Sequence, residues 1–285
     1  MKVISRTDPL REWNRANRHR RRVLVPTMGA LHQGHLSLCD FARENAGPGG
    51  DVVVTVFVNP TQFGPGEDWD AYPRPLEQDI EKCRAQGVDL VFTPEPHALY
   101  ADDASTVVDE TRLSRNLCGA SRTGHFRGVC TIVTKLFHLT SPDAAVFGEK
   151  DFQQLAIIRR LVRDLDFPIE ILAGPTVRES DGLAMSSRNA YLNREERAQA
   201  PVIYQTLSSA ISGIKKGTLT NPADVIRFTR TGIESASLAS IDYIELVDPD
   251  TLEPLTKPIS EQQRPCLAVA VCFGKTRLID HVTIG

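Results

Sequence analysis

Residues 51–58 read DVVVTVFV, and Val52, Val53, Val54, Val56, Phe57 and Val58 leave almost no polar alternation. A strand with one face in water alternates apolar and polar side chains. One without alternation is covered on both faces, as in a parallel sheet held between helical layers. The expected strand spans 51–59, and its surroundings repeat the theme. A short apolar run at 23–26 leads through a Gly-containing turn into a periodic segment at 35–45, and Gly47-Pro48-Gly49-Gly50 then breaks the chain. A helix is expected at 76–86 and a strand at 89–93. After Gly128, apolar Val129, Ile132, Val133, Leu136 and Phe137 fall at offsets 0, 3, 4, 7 and 8, one face of a helix. Strands at 144–147 and 169–172 flank a helix at 151–165. Alternation from Val23 to about Gly174 predicts a doubly wound, Rossmann-like parallel α/β sheet.

The pattern changes beyond Asn193. Helical stretches at 194–214 and 222–237 come first, then strand candidates at 243–247, 267–273 and 278–284, which suggest a smaller α+β domain. A length of 285 residues suits two domains of about 150. We expect a first domain at 1–175 and a C-terminal one at 176–285. Hydrophobic residues make up 41% and charged ones 24%, and 33 Lys+Arg against 36 Asp+Glu give a net charge of −3. That is an ordinary globular balance with no field that would seek nucleic acid. The six cysteines contain no C-x-x-C pair, so reduced, packed thiols are expected rather than zinc or redox chemistry. No apolar leader occupies residues 1–8, and no apolar run approaches the ~20 residues needed to span a bilayer. The expected location is the cytoplasm, without membrane attachment.

Five segments could carry chemistry. Residues 26–35, PTMGALHQGH, lie where a strand ends and a helix begins, the place at which doubly wound sheets bind ligands. Unpaired N–H groups and the positive end of the helix favour phosphate there. Gly29 and Gly34 allow close approach, and His32 and His35 sit three residues apart, able to face the same oxygens of a nucleoside triphosphate. The same residues also fit two surface histidines, or a metal site shared with Cys39. Residues 178–189 place two hydroxyls and Arg188 in a loop suited to a departing pyrophosphate, and equally suited to a capped, solvated linker. Gly148-Glu149-Lys150-Asp151 puts Lys150 at another strand end, or else forms a polar helix cap. The amides of residues 57–63, with Gln153 and Gln154, suit a substrate bearing hydroxyls and a carboxylate. Arg122, His125 and Arg127 form a basic loop that could cover an anion or cap the following helix.

Taken in order, PTMGALHQGH, FVNPTQF, YPR at 72–74, GHFRGV, KLF, FGEKDFQQL, RESDGLAMSSRNAYL and TRLID resemble the blocks of the pantoate–β-alanine ligases, in the adenylate-forming branch of the HIGH nucleotidyltransferase superfamily. The resemblance covers nearly the whole chain. It implies that ATP and pantoate give pantoyl adenylate and pyrophosphate, and that β-alanine then displaces AMP to form pantothenate, with Mg²⁺ as counter-ion. It further implies that Met28, Gly29, Ala30, Leu31, His32, Gln33, Gly34 and His35 cradle ATP, with His35 as proton donor beside His32. By the same resemblance Gly148, Glu149, Lys150 and Asp151 touch ATP, and Val177 lies by the adenine. Met185, Ser186, Ser187 and Arg188 close over the phosphates, Gln62 and Gln154 hold pantoate, and Asp79 joins the magnesium shell. A homodimer is implied as well, and because the mixed anhydride is hydrolysable and needs a closed, drier pocket, the C-terminal domain is expected to act as a lid.

Some positions depart from the family pattern. Cys118 stands where a Glu is common between Leu and Gly, and Thr123, His138, Thr176 and His281 are further departures. Arg188 stands where synthetase relatives use lysine. The nearest rival is a nucleotidyltransferase that moves AMP or CMP onto a phosphorylated acceptor through the same H-x-G-H geometry. An aminoacyl-tRNA synthetase fits poorly with this length and charge, and a silent nucleotide-binding module fits poorly with the joint presence of His32, His35, Lys150, Ser186, Ser187 and Arg188.

Overall fold

The computed structural model describes residues 1–259 and 264–284. Strand Lys2–Ile4 (β1) and helix Thr7–Ala16 (α1) open the chain, followed by Arg22–Thr27 (β2), Gln33–Ala46 (α2), Asp51–Val56 (β3), Leu76–Ala85 (α3) and Leu90–Phe92 (β4). Next come the short helices Pro96–Leu99 (α4) and Cys118–Ser121 (α5), then His125–Thr140 (α6), Ala144–Gly148 (β5), Phe152–Asp164 (α7) and Glu170–Gly174 (β6). Helices Arg194–Gln199 (α8), Val202–Lys215 (α9) and Pro222–Glu234 (α10) precede strands Ala239–Val247 (β7), Cys266–Phe273 (β8) and Thr276–Thr283 (β9).

The first six strands form one sheet in the order β1-β4-β3-β2-β5-β6, and every neighbouring pair is parallel. The expected doubly wound sheet is therefore present. Its central strands are covered on both faces. Val23, Val25, Val52, Val54, Val91 and Val146 pack with Leu38, Cys39 and Ala42 of α2 and with Cys83 of α3. The alternate residues Leu24, Val53, Leu90, Phe92, Ala145 and Phe147 are buried too. From β2 the chain runs outward through β3 to β4, then returns to β5 and β6 on the other side of β2. The order reverses between β2 and β5, so the carboxyl ends of those two strands bound the crevice where such sheets take ligands.

Three details differ from the sequence reading. Strand β1 and helix α1 were not expected: β1 is three residues at the sheet edge, and α1 is a mostly polar, charged segment that buries only Leu10 and Trp13. Strand β3 stops at Val56, and a 3₁₀ turn, Pro60–Gln62, follows, since Pro60 has no N–H to continue a ladder. The long helix expected at 194–214 is two, with Pro201 at the start of the second.

The chain divides into two compact units. One comprises Met1–Thr111, Arg122–Glu149 and Ile157–Pro175; the other comprises Arg112–Ser121, Lys150–Ala156 and Thr176–Gly285, described here to residue 284. The second unit holds the antiparallel sheet β7-β8-β9. Its core joins Ile203 and Leu207 of α9 and Val225 and Ile233 of α10 to Val269, Val271 and Phe273 of β8. All six cysteines are unpaired thiols. Burial pushes Cys39 and Cys130 up to about 12 and Cys83 up to about 11, so they behave as protonated packing residues. No helix among the described residues is long and apolar enough to cross a membrane.

Candidate active site

The turn between β2 and α2 is held by short-range bonds that specify two histidines. His32 is the N-cap of α2, and its Nδ1 accepts from Gly34 N–H at 3.1 Å. His35 Nδ1 accepts from His32 N–H at 3.3 Å, completing a reciprocal capping box. With both Nδ1 atoms accepting, each neutral ring carries its proton on Nε2. The ring centroids lie 4.0 Å apart. Thus the H-x-x-H spacing places two Nε2–H donors side by side at a strand end.

The backbone of this corner differs from the open phosphate cradle expected from sequence. Gly29 N–H donates to Thr27 Oγ1 at 3.2 Å, and Ala30 and Leu31 N–H donate to the two carboxylate oxygens of Asp79, each at 2.8 Å. The N–H groups of His32, Gly34 and His35 also have acceptors inside the turn. Cys39, which could have joined the histidines around a metal, packs in the apolar core of the first unit. Among the described residues no three His, Cys, Asp or Glu side chains are grouped to hold a metal ion.

Gln62 is buried beside this corner. Its Nε2 donates to Met28 Sδ at 2.8 Å, and its Oε1 accepts from Asn59 Nδ2 at 3.2 Å. Asn59, which the sequence reading left among generic amides, is buried and also donates to the Gly128 carbonyl at 3.1 Å, while Tyr100 OH donates to its Oδ1 at 2.9 Å. A further chain of bonds fixes the turn that carries Gln62. Glu67 takes a two-point bond from Arg122, 2.7 Å at each oxygen, and Arg122 Nη1 lies 3.0 Å from His125 Nε2. His125 Nδ1 lies 2.8 Å from the Gln62 carbonyl oxygen, which only a ring N–H can satisfy, so this imidazole is protonated on Nδ1. Burial raises the Glu67 carboxyl, but the Arg122 bonds and charge outweigh it and leave it below its usual 4.5. Arg122 therefore matches a carboxylate within the first unit, and its loop works as a brace. Close packing makes this possible: a Cβ on Gly128 would sit 2.3 Å from the Thr61 carbonyl oxygen.

Gly148 and Glu149 stand at the end of β5, beside β2 in the same sheet. The remaining expected residues belong to the second unit. Lys150 and Asp151 follow in a 3₁₀ turn, and half-buried Gln154 lies on α7. Gln153, its neighbour, is buried and donates to the carbonyls of Leu113 at 2.8 Å and Asn116 at 2.7 Å, so it fastens the backbone of 113–116. Residues 177–185 form a tight hairpin in which Met185 N–H donates to the Val177 carbonyl and Glu179 N–H to that of Leu183. Arg178 anchors the hairpin through a two-point pair with Asp280, at 2.6 and 2.9 Å. Arg197 bridges Glu179 and Asp181 at 2.7 and 2.6 Å. Ser186 then caps the 3₁₀ turn Ser187–Tyr191 by accepting from Arg188 N–H. The segment is a built loop rather than a solvated linker.

Comparison with known proteins gives the family. A family model described as pantoate-beta-alanine ligase matches residues 2–283. A pantothenate synthetase of Thermosipho africanus is 47% identical, with 100% of both chains covered. The crystal structure of a pantothenate synthetase from Thermus thermophilus superposes with a TM-score of 0.92 at 42% identity, covering 100% of this chain and 99% of that one. A pantoate-beta-alanine ligase from Francisella tularensis, described as complexed with beta-gamma ATP and beta-alanine, matches with a TM-score of 0.81 at 31% identity over 99% of this chain and 97% of that one. A paired-histidine corner in a parallel sheet, a braced amide turn and a hairpin ending in Ser-Ser-Arg thus occur in a chain whose full length follows these enzymes, and it belongs to the pantoate–β-alanine ligase family.

Proposed function

We propose that this chain ligates pantoate to β-alanine at the expense of ATP. The pantoate carboxylate attacks the α-phosphorus of ATP, giving pantoyl adenylate and pyrophosphate. The β-alanine amine then attacks the acyl carbon, and AMP departs as pantothenate forms. The family match over residues 2–283 carries this reading.

The first step brings an anion to a polyanion, so donors and positive charge must be in place beforehand. The reading assigns Nε2–H of His32 and His35 to phosphate oxygens, with His35 as the proton donor in a hydrogen bond to the charge that builds there, and adds the charges of Lys150 and Arg188. The turn 28–35, Gly148, Glu149, Asp151 and Val177 complete the nucleotide contacts, with Met185, Ser186 and Ser187 from the hairpin segment. Gln62 and Gln154 hold pantoate; the fixed orientation of Gln62 supports that role, since amides that both donate and accept suit hydroxyl and carboxylate groups. Holding two reactants in line replaces a bimolecular encounter, an advantage of roughly 7–11 kcal/mol in favourable cases.

Magnesium does not find a ready-made cage here. Both oxygens of Asp79 are engaged by backbone N–H groups, and no alternative cluster exists among the described residues. Mg²⁺ held by the nucleotide's own phosphates needs no such cage. The reading further makes the active species a cytoplasmic homodimer, which light scattering on the purified chain would check. Incubation with ATP and pantoate, without amine, should release pyrophosphate; adding β-alanine should yield pantothenate and AMP in equal amounts. Absence of pantoate-dependent pyrophosphate release would reject the proposal.

A further inference from the structure

Asp79 is fully buried, and both of its oxygens lie on the turn that carries the paired histidines. Its neighbours on α3 work on the same turn: Lys82 Nζ donates to the Leu31 carbonyl oxygen at 2.6 Å. One carboxylate and one ammonium, three residues apart on one helix face, thus grip the N–H groups of Ala30 and Leu31 and the carbonyl that follows. The gripped backbone is unusual. Gly29 and Ala30 are both left-handed, at φ +84° and +51°. In this turn the N–H groups of Ala30 and Leu31 face one concavity, which in other turns ordinarily takes an anion. Here the protein's own carboxylate fills it. A Cβ at Gly29 would sit 3.0 Å from Asp79 Oδ2 and 2.9 Å from Val56 Cγ1, so glycine there and aspartate at 79 are parts of one fitted joint.

We infer that Asp79 is a positioning residue for the adenylation step, holding the left-handed turn so that His32 and His35 start α2 at the required angle, and that it is not a magnesium ligand. The inference rests on the proposed ligase activity. It follows because Leu31 N–H and the Leu31 carbonyl are pinned immediately before His32, whose own N–H and ring close the capping box. Releasing the turn lets the imidazoles drift, and misplacement by about 1 Å can lower a rate roughly 100-fold.

The test compares wild type, Asp79→Asn and Asp79→Ala in pantothenate formation while Mg²⁺ is titrated. Asparagine has the same shape and keeps one acceptor, so it should rescue part of what alanine loses. The expected kcat of Asp79→Asn is lower by roughly 10–100-fold. Its KM for pantoate and half-saturating Mg²⁺ concentration should stay within about twofold of wild type, because no contact to either ligand is removed. Hydrogen exchange gives a readout independent of turnover: the Ala30 and Leu31 amides should exchange slowly in wild type and fast in Asp79→Asn. A large rise in half-saturating Mg²⁺ with recovery of rate at high Mg²⁺ would overturn the inference in favour of a metal ligand. So would wild-type kcat and unchanged amide exchange. If the Asp79 variants do not fold, Lys82→Met removes the other grip, with the same expected pattern at smaller size and the same overturning outcomes. Wild type that forms no pantothenate would refute the ligase reading itself, while slow exchange at Ala30 and Leu31 would still report the brace.

Discussion

At the residue scale, the paired histidines show how much a capping bond can specify. Because each Nδ1 accepts a backbone proton, local geometry sets the tautomer. Replacing His35 by alanine removes the proposed proton donor and half of the capping box. We expect pyrophosphate release to fall roughly 100–1,000-fold, as for loss of one preorganised donor, with circular dichroism unchanged; near-normal turnover in a folded variant would contradict the role. Cys118, the departure from the family's glutamate, lies 3.3 Å from Tyr243 OH and within 3.5 Å of Arg277 Nη1, while Arg277 pairs with Asp242 at 2.7 Å. The guanidinium that a glutamate could meet is thus matched by Asp242. His281, another departure, stacks on Phe152 with centroids 4.8 Å apart, and its Nδ1 is buried with no hydrogen-bond partner. Burial, outweighing the nearby Asp280 carboxylate, holds it below the usual 6.5. The unfolded chain therefore binds the proton first as pH falls, and stability present above pH 6.5 is lost below it. Thermal melts of His281→Gln should show a smaller drop in Tm between pH 7.5 and 5.5 than wild type.

At the element scale, the amide turn depends on how closely α6 approaches it. Gly128 lets the helix backbone lie against Thr61, and Asn59 bonds across the same gap to the Gly128 carbonyl. A methyl group there must push the two backbones apart. Gly128→Ala should lower stability by about 1–3 kcal/mol in urea unfolding, the range for overpacking. It should also raise the KM for pantoate more than the KM for ATP, since Gln62 rides on the displaced turn. Equal effects on both substrates would detach this helix from pantoate binding. The 177–185 hairpin is held by ion pairs instead, Arg178 bonding Asp280, and Glu179 and Asp181 bonding Arg197 of α8.

For the whole molecule, the consequence lies in how the chain threads its units. The final crossing falls between Pro175 and Thr176, but segments 112–121 and 150–156 already belong to the second unit. They are joined there by Gln153 to the Leu113 carbonyl, by Asn116 to the Leu252 carbonyl and by Cys118 to Tyr243. A fragment ending at Pro175 should therefore melt with low cooperativity and bind a hydrophobic dye, because 112–121 loses Leu252 and Tyr243 and Phe152 loses His281. A sharp transition without dye binding would show that the first unit orders them alone.

Periodicity and the order of elements determined the parallel sheet, the helix faces and a second unit of helices followed by strands, since burial on one or both faces leaves its mark every two or every 3.6 residues; that the last three strands pair antiparallel came from the structure. Motif order also identified the family, because turns that carry His32, Gln62 and Ser186 need particular residues at particular spacings. Tertiary structure alone decided what each polar group bonds. The sequence leaves Asp79 and Arg122 without partners; folding puts the Asp79 oxygens on the N–H groups of Ala30 and Leu31, and Arg122 on Glu67. Those partners lie 48, 49 and 55 residues apart. No local pattern records such a pairing, because a carboxylate meets either a metal or an amide according to what folding brings within about 3 Å.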